Sequence, residues 1–449
     1  MCFNAAKSWK LGWYDDRALE ITDEMLQGDG FNGKLAAFVD YDKVPEGEYV
    51  LLKVGTKYLI FNEQKGINSE TQEFANTVSI TEAPTLNDSS DAVAALGQGG
   101  QTYEFSNTNG DDVTIKICSI ETQNGIDFAT VSIYLSNQDS TCGSSVMESI
   151  KSVGFGLEET LTTDSFECVL IEVASEYEDN TIDYEHACIA KGADGEFDMR
   201  YHIDDNNGKI ETKFGDQGID VLHHSNRYKV TMTNVLLALT PVVSTTPTTE
   251  ITITDMAEEF SNKRRRMKMV GDRTMVILRV TSSDGTVSKT ADQIANAFFG
   301  TGGDQNNLKS RYTDCSMGKL NFKPGTGHDF RNGVAEIKVN APVTGVDIIA
   351  FQAKITNALV AKYGSSLRNT YNHVVYAVPR GTNMGAGGSN RWIAFAYMNS
   401  YLSVYNNENI VYISNQVHET GHNLGLMHSN HGAQKYGDQS GTMGFGYGK

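Results

Sequence analysis

The chain has 449 residues, with 56 acidic against 37 basic side chains and a formal net charge of −19. A field of that sign repels nucleic acid and anionic membrane surfaces, so neither is expected as a partner. Hydrophobic residues make up 39%, as in a globular chain of several domains, and no run reaches the roughly 18 apolar residues of a membrane span.

Residues 1–14, MCFNAAKSWKLGWY, predict a short helix. Asn4 caps it, Ala5, Trp9 and Trp13 recur every four residues on one face, and Gly12 ends it. Its tryptophans and lysines stand where a signal peptide needs an apolar core. From residue 15 to about 140, apolar or alternating runs such as EYVLLKVG, KYLIFNEQ, DDVTIKICSI and FATVSIYLS sit between Gly/Asn/Asp turns and predict a β-sandwich. NQDSTCGSS comes next as a linker. A second β-rich unit, from about 147 to 266, contains FECVLIEVASEY, EHACIAKG and MRYHIDD. It ends in a Thr/Pro-rich stretch and then SNKRRRMK. A solvated charge run is the plain alternative, but four basic residues after an extended linker predict processing after Arg266.

Beyond Met267 strands and helices alternate. TMVILRVT is a strand. Thr290 and Gln293 form a capping box for ADQIANAFF, closed by Gly300. DIIAFQAKITNALVAKY is a long helix closed by Gly364. KLNFKP, VAEIKVNAP, HVVYAVP and RWIAFAYM are further strands, and a last helix begins near Ser414. The fold class expected is α+β: a mixed sheet with an active-site helix, a β-sandwich-like domain and a further β-rich region.

That last helix carries His418, Glu419, His422, Gly425 and His428, an HExxHxxGxxH pattern. Two histidines one turn apart face the same way and can share one ion. Gly425 accepts positive φ, so the helix can stop and the chain can turn His428 toward the same point. Three neutral nitrogens with a fourth position open describe a catalytic zinc, and Glu419 is placed to hold a water. A bare HExxH is often only a polar helix face; the five-point pattern is far rarer by chance. His186, His202, His223, His224, His328, His373 and His431 are isolated or solvated and suggest no ligand role.

The six cysteines, Cys2, Cys118, Cys142, Cys168, Cys188 and Cys315, form no CxxC pair. Dispersed and even in number, they favour disulfides in an oxidising compartment over six buried thiols. Asn87 heads one glycosylation sequon.

The extended motif is the metzincin signature, and QVHETGHNLGLMHS with YGDQSGTMG after it resembles the gametolysin family of secreted zinc metallopeptidases. The resemblance also takes in WIAFAYMNSYLSVYNNE. It implies a zinc endopeptidase acting on extracellular or matrix proteins, with His418, His422 and His428 as ligands, Glu419 as general base and Met443 as the Met-turn floor. Many metzincins carry a tyrosine two residues after that methionine; here the position is Phe445, and Tyr447 is out of register. The resemblance implies a rotated order too, because CFNAAKSWKLGWY and the β-rich segment resemble the family's segments C-terminal to the Met-turn. The expected parts are 1–14, a displaced C-terminal helix of the catalytic domain; 15–145, a β-rich C-terminal-type domain; 146–266, a pro-region ending at the cleavage site; and 267–449, the catalytic domain. Circular permutation, natural or introduced in assembling the sequence, and a window across two tandem copies both give that order.

The rotated order implies a helix packed on the catalytic domain with Trp9 and Trp13 inward, an N-terminus near Lys449, and a Cys2–Cys315 disulfide. Six cysteines nonetheless allow 15 connectivities. Zymogen latency through a thiolate of Cys168 or Cys188 competes with those two pairing with each other. The alternative function is a non-catalytic extracellular matrix- or glycan-binding protein carrying a degenerate peptidase domain; the intact Glu419 argues against it.

Overall fold

The computed structural model describes residues 2–71, 73–85, 88–138, 142, 269–364, 366–385 and 388–444, and the backbone of strands between 166 and 255. The sites at Asn87, His223, His224, Arg266, Phe445, Tyr447 and Lys449 lie outside them. The protein is a mixed α+β molecule with several sheets and few helices.

Among the described residues the α-helices are α1 (Ala5–Leu11), α2 (Asp23–Gln27), α3 (Ala291–Phe299), α4 (Leu308–Cys315), α5 (Ile348–Tyr363) and α6 (Ile413–Asn423). Local chemistry sets their ends. Asn4 accepts from Lys7 N, Thr290 and Gln293 close a reciprocal capping box, and Gly12, Gly300 and Gly364 terminate α1, α3 and α5 in the left-handed region. The short α2, capped by Thr22, and α4, capped by Asn307, are additions to the sequence expectation.

Residues 15–138 form two sheets. One runs Ala18–Ile21, Leu51–Val54, Lys57–Asn62, Thr77–Glu82, Ser90–Leu96; the other Phe31–Ala36, Ile126–Leu135, Asp112–Gln123, Thr102–Ser106. Their shared core takes alternate residues, Val113, Ile115 and Ile117 from one strand and Leu59 and Phe61 from another. The register shifts between Ile117 and Ser119, and the intervening Cys118 is disulfide-bonded to Cys142. Lys57–Asn62 is buried at every position. Leu59 and Phe61 face the sandwich core, whereas Tyr58 and Ile60 join a second core with α1 and residues beyond 269. The apolar run YLIF is therefore a strand covered on both faces.

Beyond residue 269 the sheet is built on Gly271–Thr281. Leu320–Pro324 and Val334–Lys338 pair with it in parallel, as does His373–Val378 on its other side. Leu402–Asn406 is next in parallel, and Ala394–Ala396 ends the sheet antiparallel. Met275 and Ile277 face α3, α4 and α6; Val276 and Leu278 face α5. RWIAFAYM is thus strand only at Ala394–Ala396, and its neighbour Leu402–Asn406 was missed in YLSVYNNE. Between 166 and 255 lies a seven-stranded sheet whose register sets Cys168 opposite Ala190 and Cys188 opposite Leu170; the side chains of both cysteines are outside the described residues.

The α1 segment sits between the sandwich and the sheet beyond 269. Trp13 Nε1 donates to Met269 O at 2.7 Å, and Phe3 and Trp13 both pack on Tyr312 of α4. Trp9 does not share that direction: its ring meets Tyr58 of the sandwich. The reason is Gly12, whose φ of 69° turns the chain between the two tryptophans and breaks the every-fourth pattern. Cys2 and Cys315 are disulfide-bonded, their Cα atoms 5.5 Å apart across a separation of 313 residues.

A cross-link over so long a loop restricts the unfolded chain strongly. Replacing Cys2 and Cys315 together by serine should lower unfolding stability by about 2–5 kcal/mol in non-reducing denaturant titration. An unchanged midpoint would mean that α1 is held by its packing alone.

Candidate metal centre

Helix α6 is buried at every residue from Gln416 to Asn423. Polar side chains pin it on several sides. Tyr312 Oη donates to Val417 O at 2.8 Å, and Gln416 Nε2 to Ile410 O at 2.7 Å. Asn423 Nδ2 donates to Tyr397 O and Leu402 O, which ties the helix to the hairpin that ends the sheet. The helix stops in a Schellman turn: Gly425 N donates to His422 O, Leu426 N to Gly421 O, and Gly425 has φ 84°. Lys10 of α1 donates its ammonium to Gly425 O, a cation at the negative end of α6. Burial lowers the pKa of that lysine to about 8.

This turn brings His428 back beside His418 and His422, and one ring nitrogen from each lies within 4.8 Å of the others. His418 Nδ1–H donates to Thr442 O at 3.0 Å and His422 Nδ1–H to Leu426 O at 2.8 Å. Both Nε2 lone pairs are left facing inward, the tautomer a metal needs. His428 Nε2 is 3.0 Å from His422 Nε2. Two lone pairs tolerate that separation only with a proton or a cation between them. Burial, then the neighbouring imidazoles, hold the pKa of His422 and His428 well below the usual histidine value. Three converging imidazoles, two of them with Nδ1 committed to backbone carbonyls, fit a divalent ion such as zinc. Glu419, one residue from His418, is buried; burial first, and then its charge, pushes the Tyr405 phenol well up.

Met443 is fully buried, with its side chain against Gly421 of α6. A Cβ on Gly421 would overlap its Sδ and come within 3.3 Å of its Cε, so glycine at 421 lets the methionine lie against the helix backbone. Tyr436 was not singled out in the sequence. Its ring centroid is 4.0 Å from that of His428 and 5.7 Å from that of His418. Ser90 and Asp438 were missed as well. Ser90 N donates to His428 O at 3.1 Å, and Ser429–Asn430 pairs in parallel with Ser90–Asp91 as a sixth strand of the sandwich sheet. No local pattern marks the roles of Ser90 and Asp438, since Ser90 meets His428 and Asp438 meets Asn4 across hundreds of positions. His431 is exposed beside Glu73, and His373 is a core residue held neutral by burial, its pKa lowered to about 3.

Gly421→Ala should destabilise the protein by about 1–3 kcal/mol through overpacking against Met443. Combined with Met443→Ala it should cost less than the sum of the two single changes. Additive losses in denaturant unfolding would show that the two residues do not press on one another.

Residues 273–448 match the family model described as Gametolysin peptidase M11. No curated protein and no solved structure matched the chain. The match spans the sheet, α6, the three histidines and Met443, and it supports a gametolysin-like peptidase family for this part of the chain.

Proposed function

We propose that the protein is a zinc-dependent endopeptidase with a metzincin-type catalytic domain, made as a zymogen and acting on extracellular or matrix proteins. The observation that carries this reading is the convergence of His418, His422 and His428, two of them with Nδ1 committed to backbone carbonyls. Those three residues would hold the ion. When bound, zinc supplies a Lewis acid that polarises a carbonyl and lowers the pKa of water.

The chain's own groups do the rest. Glu419 accepts a proton from the water attacking the scissile carbonyl and passes it to the leaving amine, acting first as base and then as acid. Met443 packs in the space that Gly421 leaves, against the backbone of α6. Ala394–Ala396, the last strand of its sheet and tied to α6 through Asn423, offers backbone groups to an extended peptide, which suits a protease of broad sequence tolerance.

In this reading 267–449 is the catalytic domain, 1–14 its displaced helix, 15–145 the β-rich domain and 146–266 the pro-region. The Cys2–Cys315 bond and the Trp13–Met269 contact support joining 1–14 to the catalytic unit. Latency has support in the strand Phe166–Glu176, which runs alongside Ala394–Ala396 with Cα atoms within 8 Å. In this reading its nearness keeps a peptide from adding beside Ala394–Ala396. Processing after Arg266 by a second protease would free it. The disulfides and the peptidase family favour a secreted protein.

Hydrolysis of casein or gelatin by the zinc-loaded, processed protein, abolished by a chelator, tests the activity; no hydrolysis under those conditions would sink it. Glu419→Gln should keep zinc stoichiometry and lose about 10²–10⁴-fold in rate. His428→Ala should lose zinc and activity together. Replacing Arg264, Arg265 and Arg266 with alanine should leave the chain full length and latent, and equal activity without cleavage would refute the zymogen.

A further inference from the structure

Asn4 is almost wholly buried, and the two ends of its amide have different partners. Oδ1 accepts from Lys7 N at 3.1 Å and closes the first turn of α1. Nδ2 donates to Asp438 Oδ2 at 2.6 Å and lies 3.0 Å from Ser90 Oγ and 3.1 Å from Ser429 Oγ. Asp438 is fully buried, and its other oxygen accepts from Ser440 N at 3.0 Å. One amide therefore joins α1, a strand of the sandwich, the residue after His428 and the segment leading to Met443.

These segments bear directly on the histidines. Ser90 N holds His428 O, and Ser429 N donates to Met443 O at 2.8 Å. Asp438 N donates to Ser429 O, closing the loop 429–438 at its neck. Within that loop Asn430 Oδ1 accepts from Tyr436 N, and Tyr436 lies on the rings of His428 and His418. Thr442, whose carbonyl orients His418, donates its own N–H to Cys2 O at 3.0 Å. A buried carboxylate is expensive, and apolar packing of equal volume would usually be at least as stable. The polar junction adds register, since one donor and its acceptors meet in one arrangement.

We propose that Asn4 and Asp438, with Ser90 and Ser429, form a positioning latch through which α1 and the β-sandwich set His428 and Tyr436 for metal binding. The sandwich is then part of the metal site's support and not an appended module. The proposal rests on the metal-site reading above.

Asn4→Asp tests it in the full-length chain, because the substitution preserves the cap on Lys7 N and replaces the donor to Asp438 with a second carboxylate. Zinc affinity, read by competition with a chromophoric chelator, should fall by about 10–100-fold, as for other residues that orient metal ligands. The visible spectrum of the cobalt(II)-loaded protein should change with it. The Asn4→Asp/Asp438→Asn double variant exchanges donor and acceptor and should restore both. A folded Asn4→Asp protein with wild-type affinity and spectrum overturns the latch, and so does a folded double variant as weak as the single. If Asn4→Asp does not fold, Ser90→Ala decides: it keeps the backbone bond to His428 and should weaken zinc in the same direction, and wild-type binding there overturns the proposal. A wild-type chain that binds neither zinc nor cobalt overturns the metal-site reading along with the latch, an outcome distinct from the others.

Discussion

Three imidazoles crowded to within a few ångströms, and buried, cannot all carry charge, and the surroundings of His418, His422 and His428 are arranged around that constraint. Backbone carbonyls at Thr442 and Leu426 take the outward N–H of two rings. Each carbonyl belongs to a segment that must itself be fixed. Leu426 is fixed by the Schellman turn that Gly425 permits, and Thr442 by its bond to Cys2 and by Met443 lying in the space Gly421 leaves. The demand for one tautomer at two rings thus propagates outward into a glycine, a methionine and a backbone hydrogen bond with the amino-terminal segment.

The second consequence is architectural. His428 stands off the helix that holds the other two histidines, so the helix cannot position it. Its carbonyl is gripped from the sandwich by Ser90, and the two residues after it extend the sandwich sheet. In the sheet that supplies this grip the strand Lys57–Asn62 is buried on both faces, with Tyr58 and Ile60 in one core and Leu59 and Phe61 in the other. Between the two units lies α1, whose Trp9 faces one and whose adjoining Trp13 faces the other. Such continuity gives relative motion of the units a cost in apolar surface, unlike the polar interfaces of loosely tethered domains.

The range of each interaction decided how much of this was legible in the sequence. The motif helix, its glycine stop, the Thr290–Gln293 box and the closing glycines depend on residues within a few positions, and their patterns are visible. The alternation of the sandwich strands is equally local. Tyr436, Ser90 and Asp438 gave no such signal. Asn4 was legible as a cap because its Oδ1 partner is three residues away; its Nδ2 partner Ser429 is 425 residues away. The direction of Trp9 failed for a related reason: periodicity was carried through Gly12, where the backbone no longer keeps to the helix. Leu402–Asn406 was hidden because it is short and buried at every position, with no alternation to show.

Tyr436 reaches the histidines from the loop 429–438, ahead of Met443 in the chain, and it packs on them by ring face. Its backbone has φ 59°, a conformation costly for an aromatic residue unless the surroundings impose it. The imposition is visible in the bond from Tyr436 N to Asn430 and in the neck closed between Ser429 and Asp438. Strain at Tyr436 is therefore balanced by the same buried junction that holds His428, which couples the wall of the site to its third histidine. A change that loosens one should loosen the other, because both hang from the 429–438 loop.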